Sequence, residues 1–191
     1  MKLFIFLFCF PIAIFSQVHP DFGPLNSAGL NAPRTYLIKY ENCSEDMKDV
    51  LTCTKGSRVL QYTLDLDDKV VKLELELNKP LLLSYGINEN EVDKNILESY
   101  TNRYYMIHGH PTIYSKSNKI ALYKNLMENY AIIYFLNGKL IFKAYRSKNA
   151  YIKENKELIE KAISGSPVCE PTYDLNAKDN SCAQWHFNSF K

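Results

Sequence analysis

The residues with the most chemistry to offer are histidines, cysteines and a cluster of aspartates. His108-Gly109-His110 puts two imidazoles two positions apart, so both could reach one metal ion from a strand. Gly109 and Pro111 argue for a turn instead, at a strand end where the glycine allows close backbone approach. His19 and His186 complete the histidines, and no third ligand stands beside the pair. H-E-x-x-H, G-x-S-x-G and a glycine-rich phosphate loop are all absent from the chain. We therefore assign no catalytic residue, no metal and no cofactor, and expect a protein that is not an enzyme.

Five cysteines occur, and Cys9 lies in an apolar leader. Cys43, Cys53, Cys169 and Cys182 remain, an even number that suits disulfides in an oxidising compartment. Four cysteines allow three pairings. The local pairs Cys43–Cys53 and Cys169–Cys182 are favoured, because each closes a short polar loop. Their spacing is not the C-x-x-C of a zinc site. Asn42-Cys43-Ser44 is formally a glycosylation acceptor at Asn42, with a half-cystine in the middle position. Asp65, Asp67 and Asp68 have the density of a calcium loop, but they fit the acidic turn of a hairpin better. Trp185, beside Cys182 and Phe187, is either an anchor of the C-terminal tail or an exposed binding residue.

The elements that must position these residues can be read in order. Lys2 and the apolar run Leu3 to Phe15, closed by Ser16, read as a signal peptide at 1–16, with an uncleaved anchor as the alternative. The run falls short of the ~20 residues a helix needs to span a bilayer. The expectation is a secreted, extracellular protein without a membrane span. The net charge of +2 is mixed along the chain, which argues against a nucleic-acid partner. Pro20, Gly23, Pro24, Gly29 and Pro33 make 17–33 an irregular arm.

Residues 34–165 are expected to form a β-rich domain, and 166–191 a tail tied by Cys169 and Cys182. Arg34 to Tyr40 reads as a strand. Ser44 to Val50 reads as a short helical turn capped by Ser44, with Met47 and Val50 facing inward. Leu60, Tyr62, Leu64 and Leu66 share one face of a strand. Val71, Leu73, Leu75 and Leu77 share a face of the next, with Lys72, Glu74 and Glu76 opposite. This alternation on both sides of Asp67-Asp68 predicts a hairpin with one wet face, followed by core residues Leu81, Leu82 and Leu83. Asn88 to Ser99 is a loop or a short surface helix, and Arg103 to His108 a strand. Ile113 to Tyr114 and Ile120 to Tyr123 are short strands around a turn. Tyr130 to Leu136 and Lys139 to Tyr145 flank Asn137-Gly138, whose residues tolerate the positive φ of a tight hairpin. Ile152, Leu158, Ile159, Ala162 and Ile163 share a helical face, and Gly165 reads as the helix stop. The fold class is mainly β (α+β): an antiparallel sheet, or a barrel-like or sandwich domain, with one helix near the C-terminus and a disulfide-tied tail.

Residues Val59 to Tyr145 resemble the prodomain of the reprolysin/ADAM-type zinc metalloproteases. The family's alternating strand pair is similar to Leu60–Leu66 and Leu73–Leu83, with Asn78 at the family's asparagine. Its tyrosine and Gly-His step is similar to Tyr105–His110, with a longer gap. Its serine and Ala-Leu steps resemble Ser115, Ser117, Ala121 and Leu122, and its closing strands resemble the run through Leu126, Ile132, Asn137, Gly138 and Phe142. The family's cysteine after the Ala-Leu step, its G-L-x-G glycines and its proline after the last strand are absent here. The resemblance implies a chain that binds and restrains a protease, since family prodomains keep their enzymes latent. Some do so by placing a cysteine thiolate on the catalytic zinc, and Cys169 in Ser166-Pro167-Val168-Cys169 is the candidate for such a switch. With no catalytic domain in this sequence, the resemblance implies a secreted, non-catalytic protein, such as a saliva or venom component, whose partner is a protein and specifically a secreted metalloprotease. The alternatives are a lipocalin-like carrier of small apolar ligands, on grounds of size, leader, cysteines, tyrosines and the late helix, and a plain disulfide-bonded interaction module.

Overall fold

The computed structural model of the chain describes residues 29–84, 86–88, 90, 96–101, 111–124, 128–165 and 167–169, the last three as backbone. Two four-stranded antiparallel meanders make up most of it. The first runs through β1 (Cys43–Met47), β2 (Val50–Lys55), β3 (Arg58–Leu64) and β4 (Val70–Leu77). The second runs through β5 (Ile113–Ser115), β6 (Ile120–Lys124), β7 (Tyr130–Leu136) and β8 (Lys139–Tyr145). They join edge to edge where β4 pairs with β8, placing Leu75 opposite Phe142 and Leu77 opposite Leu140. A short β9 (Pro167–Cys169) pairs with β5, so among the described residues the sheet ends at β1 on one side and β9 on the other. Of the expected arrangements, the antiparallel sheet is the one observed.

Among the described residues the helices α1 (Arg34–Tyr40), α2 (Lys79–Ser84) and α3 (Lys148–Ser164) accompany the sheet, and residues 96–101 are helical as well. One face of the sheet is buried across both meanders. Leu60, Tyr62, Leu73, Leu75, Phe142 and Ile133 all point into it, and each is at most 2% exposed. Leu37 of α1, Leu81 and Leu82 of α2, and Ile96, Leu97 and Tyr100 join the same core. Burying each large apolar side chain stabilises the fold by roughly 1.5–3 kcal/mol before entropy is counted.

Among the described residues the second face is buried over β5 to β8 and not over β1 to β3. There Tyr151, Ile159 and Ala162 of α3 pack with Ile113, Leu122, Tyr130 and Ile132. The Tyr151 ring stacks 5.5 Å from Tyr130 and meets Tyr145 edge-on at 5.7 Å. Asn155 leaves helical geometry inside α3, and its Nδ2 donates to the Tyr151 carbonyl at 2.8 Å, which marks the kink.

The closing hairpin follows its sequence signal. Asn137 and Gly138 have φ of 50° and 79°, and β7 and β8 pair residue for residue from Tyr130–Tyr145 to Leu136–Lys139. The helix near the C-terminus and the Cys43–Cys53 disulfide are likewise present.

Several local expectations need correction. Arg34 to Tyr40 is helical, not extended. Only Leu37 is buried, and Tyr36 and Tyr40 pack one turn apart as tilted rings with centres 5.0 Å from each other, a contact an i, i+4 pair makes on a helix. Ser44 to Val50 is not a helical turn but the first hairpin. Cys43 and Cys53 are direct cross-strand partners, and Met47 is 71% exposed at the turn instead of facing inward. Leu66 lies fully exposed in the β3–β4 turn. Val71 is the extra residue of a bulge: Thr63 pairs with Lys72 and Leu64 with Val70, so Val70 takes the buried place. Asn78 starts a helix, because its Oδ1 accepts from the Leu81 N–H at 3.0 Å; Leu83 is left 38% exposed. Gly165 does end α3, but at φ −82°, so it is no left-handed stop. A Cβ there would sit 2.0 Å from Asn118 Nδ2 and 2.5 Å from Ser115 Oγ, so the Asn118 side chain, which donates to the Lys161 carbonyl, would have to shift.

Asn31 donates its N–H to the Val70 carbonyl and Leu30 is buried, so the end of the arm is tied to β4. The tail begins within the sheet, as β9.

Candidate contact surface

Period-two alternation gives β2, β3 and β4 one apolar face and one polar face. On the polar face stand Thr52, Thr54, Gln61 and Thr63, with Glu74 and Glu76 beside them. No helix among the described residues packs over this half. A shallow cleft of about 320 Å³ lies on it, lined by Val59, Gln61, Glu74, Glu76 and Asn78.

Charges from β8 border the cleft. Lys139 Nζ lies 2.9 Å from Glu76 Oε2, and Lys143 Nζ lies 3.1 Å from Glu74 Oε2. Burial opposes the charge on Lys143, but the Glu74 carboxylate outweighs it, so the ammonium is held above its ordinary pKa. Lys72 reaches the other way, 2.6 Å from Glu154 of α3, and Tyr145 Oη donates to the same carboxylate at 3.1 Å. The phenols of Tyr145 and Tyr151 are pushed far above the ordinary tyrosine range by burial. They stay protonated at physiological pH and serve the core.

A second cleft of about 400 Å³ is lined by Asn31, Glu128, Asn129, Tyr130, Arg146 and Lys148. Its arginine is already committed to holding the fold. Arg146 donates to Asn31 Oδ1 at 3.0 Å and to Asp65 Oδ2, so it clamps the arm and the β3–β4 turn to the end of β8. Asp65 also accepts from the N–H groups of Lys69 at 2.9 Å and Asp67 at 3.0 Å. The Lys69 N–H and then Arg146 hold its carboxyl below the usual carboxylate range. Asp68 pairs with Arg34 Nε at 2.8 Å, and Arg34 also contacts Glu45 and the Lys48 carbonyl, which ties α1 to the first hairpin. The aspartates therefore act as a braced turn. No group of three or more metal-ligating side chains is gathered among the described residues.

The predicted site residues divide as follows. Cys43 and Cys53 are disulfide-bonded. Asn42 is exposed, just ahead of β1. Cys169 contributes its backbone to β9, opposite Ile113, and its side chain lies outside the described residues. So do Cys182, Trp185, all four histidines and the expected strand Arg103–His108. Of the residues carrying the family resemblance, Ser115, Ala121, Leu122, Ile132 and Phe142 are buried, which fits framework positions and not contact positions. The lysines that border the cleft had no sequence signal, because they reach it only through the pairing of β4 with the distant β8.

No family model, no curated protein and no solved structure matches the chain. Among the described residues no helix is long and apolar enough to cross a membrane.

Proposed function

We propose that this protein is exported and works by contact with another protein, without making or breaking bonds, and that its partner is a secreted zinc metalloprotease of the reprolysin type, which it restrains as a prodomain would. One observation carries the contact reading: among the described residues the outer face of β1–β4 is left uncovered and polar while the adjoining half of the same face is sealed under α3. A flat, hydrogen-bonding surface on a rigid sheet needs little reordering to meet a partner, which keeps the entropic cost of association low. The choice of partner rests on the resemblance running from Leu60 to Phe142. The carrier alternative calls for a closed, apolar cavity. Both clefts described above lie open at the surface and carry charged and amide side chains, and among the described residues β1 and β9 end the sheet without closing it.

The test is to titrate the purified, exported protein against a reprolysin-type protease cleaving a peptide substrate. Saturable inhibition is expected, weakened at least tenfold by Gln61→Arg combined with Glu76→Arg. Both side chains lie on the open face, and losing the exposed Glu76–Lys139 pair should cost the fold no more than about 1 kcal/mol. Absence of both binding and inhibition would discard the partner. Turnover of a substrate by the protein itself would discard the non-catalytic reading.

A further inference from the structure

We propose that Asn42 carries an N-linked glycan, and that the glycan is added before the Cys43–Cys53 hairpin closes. Asn42-Cys43-Ser44 has the acceptor spacing, with the Ser44 hydroxyl two residues on. In the fold Asn42 is exposed, and its side chain makes no hydrogen bond among the described residues. Cys43, the middle residue, turns the other way: it is 8% exposed and its sulfur is joined to Cys53. The amide thus points to solvent while its neighbour is locked inside.

A competing explanation exists for the asparagine. Asn42 has φ of 56° at the end of α1, and asparagine is second only to glycine in accepting that left-handed geometry. Backbone geometry at position 42 does not, however, call for a hydroxyl at position 44. Ser44 is on β1, where its Oγ donates to the Thr52 carbonyl at a long 3.3 Å.

The same geometry sets the order of events. Once β1 pairs with β2, Ser44 lies opposite Thr52 and Cys43 opposite Cys53. The acceptor tripeptide is then held in a strand and a disulfide, and cannot rearrange within a transferase site. The modification must take place on the open chain, during export. The co-reactant is a polyprenyl-diphosphate-linked oligosaccharide. The bond from the sugar's anomeric carbon to the diphosphate oxygen breaks, a bond from that carbon to Asn42 Nδ2 forms, the lipid diphosphate leaves, and one amide proton passes to the enzyme's base. A glycan in this place would flank β1, the terminal strand of the sheet, and hinder pairing with a further strand.

The experiment is expression in a eukaryotic secretory host, with occupancy at Asn42 read by mass before and after enzymatic N-glycan removal. Glycan is expected on the wild-type protein, lost in Asn42→Gln and in Ser44→Ala, and retained in Ser44→Thr. Occupancy should rise in Cys53→Ser, where Cys43 cannot be captured. It is to be read on intracellular as well as secreted protein, so that a folding failure does not hide the result. A bare Asn42 in the wild-type protein overturns the assignment, whatever the variants show. Occupancy unchanged by Cys53→Ser overturns the order of events.

Discussion

The two meanders share one buried face and differ on the other. In β4, Val70-Val71-Lys72-Leu73-Glu74-Leu75-Glu76-Leu77 alternates, and its charged side faces open solvent or ion pairs. In β7, Tyr130-Ala131-Ile132-Ile133-Tyr134 is apolar at every position and buried at every position. Even residues there meet α3, while odd residues meet the common core. Strand geometry is the same in both. The difference shows that coverage of a sheet is written in the residues pointing away from the core, and that a run without alternation signals a second layer.

The comparison can be broken most severely at the shared seam. Phe142 is 1% exposed on β8, opposite Leu75 of β4. Phe142→Ala should cost about 3–5 kcal/mol and lower the denaturant midpoint of both halves together. Tyr151→Ala acts on one half. It removes the ring that holds α3 against Tyr130 and Tyr145, and should cost about 3 kcal/mol. Hydrogen exchange should then accelerate in β5 to β7 and stay slow in β2 and β3. Replacing Cys43 and Cys53 together by serine acts on the opposite half. A crosslink spanning 10 residues contributes about 2.5 kcal/mol by chain entropy, and its loss should speed exchange in β1 and β2 alone. If either variant loosens both halves equally, the meanders are not separable units.

The smallest expected effect is on the pH profile. Asp65, in the β3–β4 turn, has its carboxyl pKa depressed by the Lys69 N–H and by Arg146. A depressed carboxyl adds stability that is complete above the unfolded value, about 3.9, and is lost as pH falls through the lower folded value. Arg146→Gln should therefore lower stability modestly at neutral pH and flatten the acid limb below about pH 4. Urea midpoints measured from neutral pH down to the acid transition check the sign.

Much of the second meander was legible in the sequence. Asn137-Gly138 located its hairpin, and the apolar period of residues 152–163 located α3. The first meander was harder to read. Alternation found β3 and β4 but not the bulge at Val71, which depends on how the turn closes and not on residue type. The polar stretch around Ser44 passed for a helical turn, because the disulfide that fixes it as a hairpin is a cross-strand contact. In α1, Leu37 alone is buried, so seven residues carried too little period to separate helix from strand. The cleft was half legible: the wet face of β4 could be seen, but the lysines of β8 that frame it could not.

The junction of β4 with β8 also bears on how the chain finds its fold. Every other pairing within the two meanders links consecutive strands, whereas this one waits until β5, β6 and β7 have been passed. Closing so large a loop costs entropy before any contact compensates, and the cost bears on speed more than on final stability. Each meander can zip up locally, so their docking is expected to be the slow event, and until it happens the facing edges of β4 and β8 stand open to any other chain nearby.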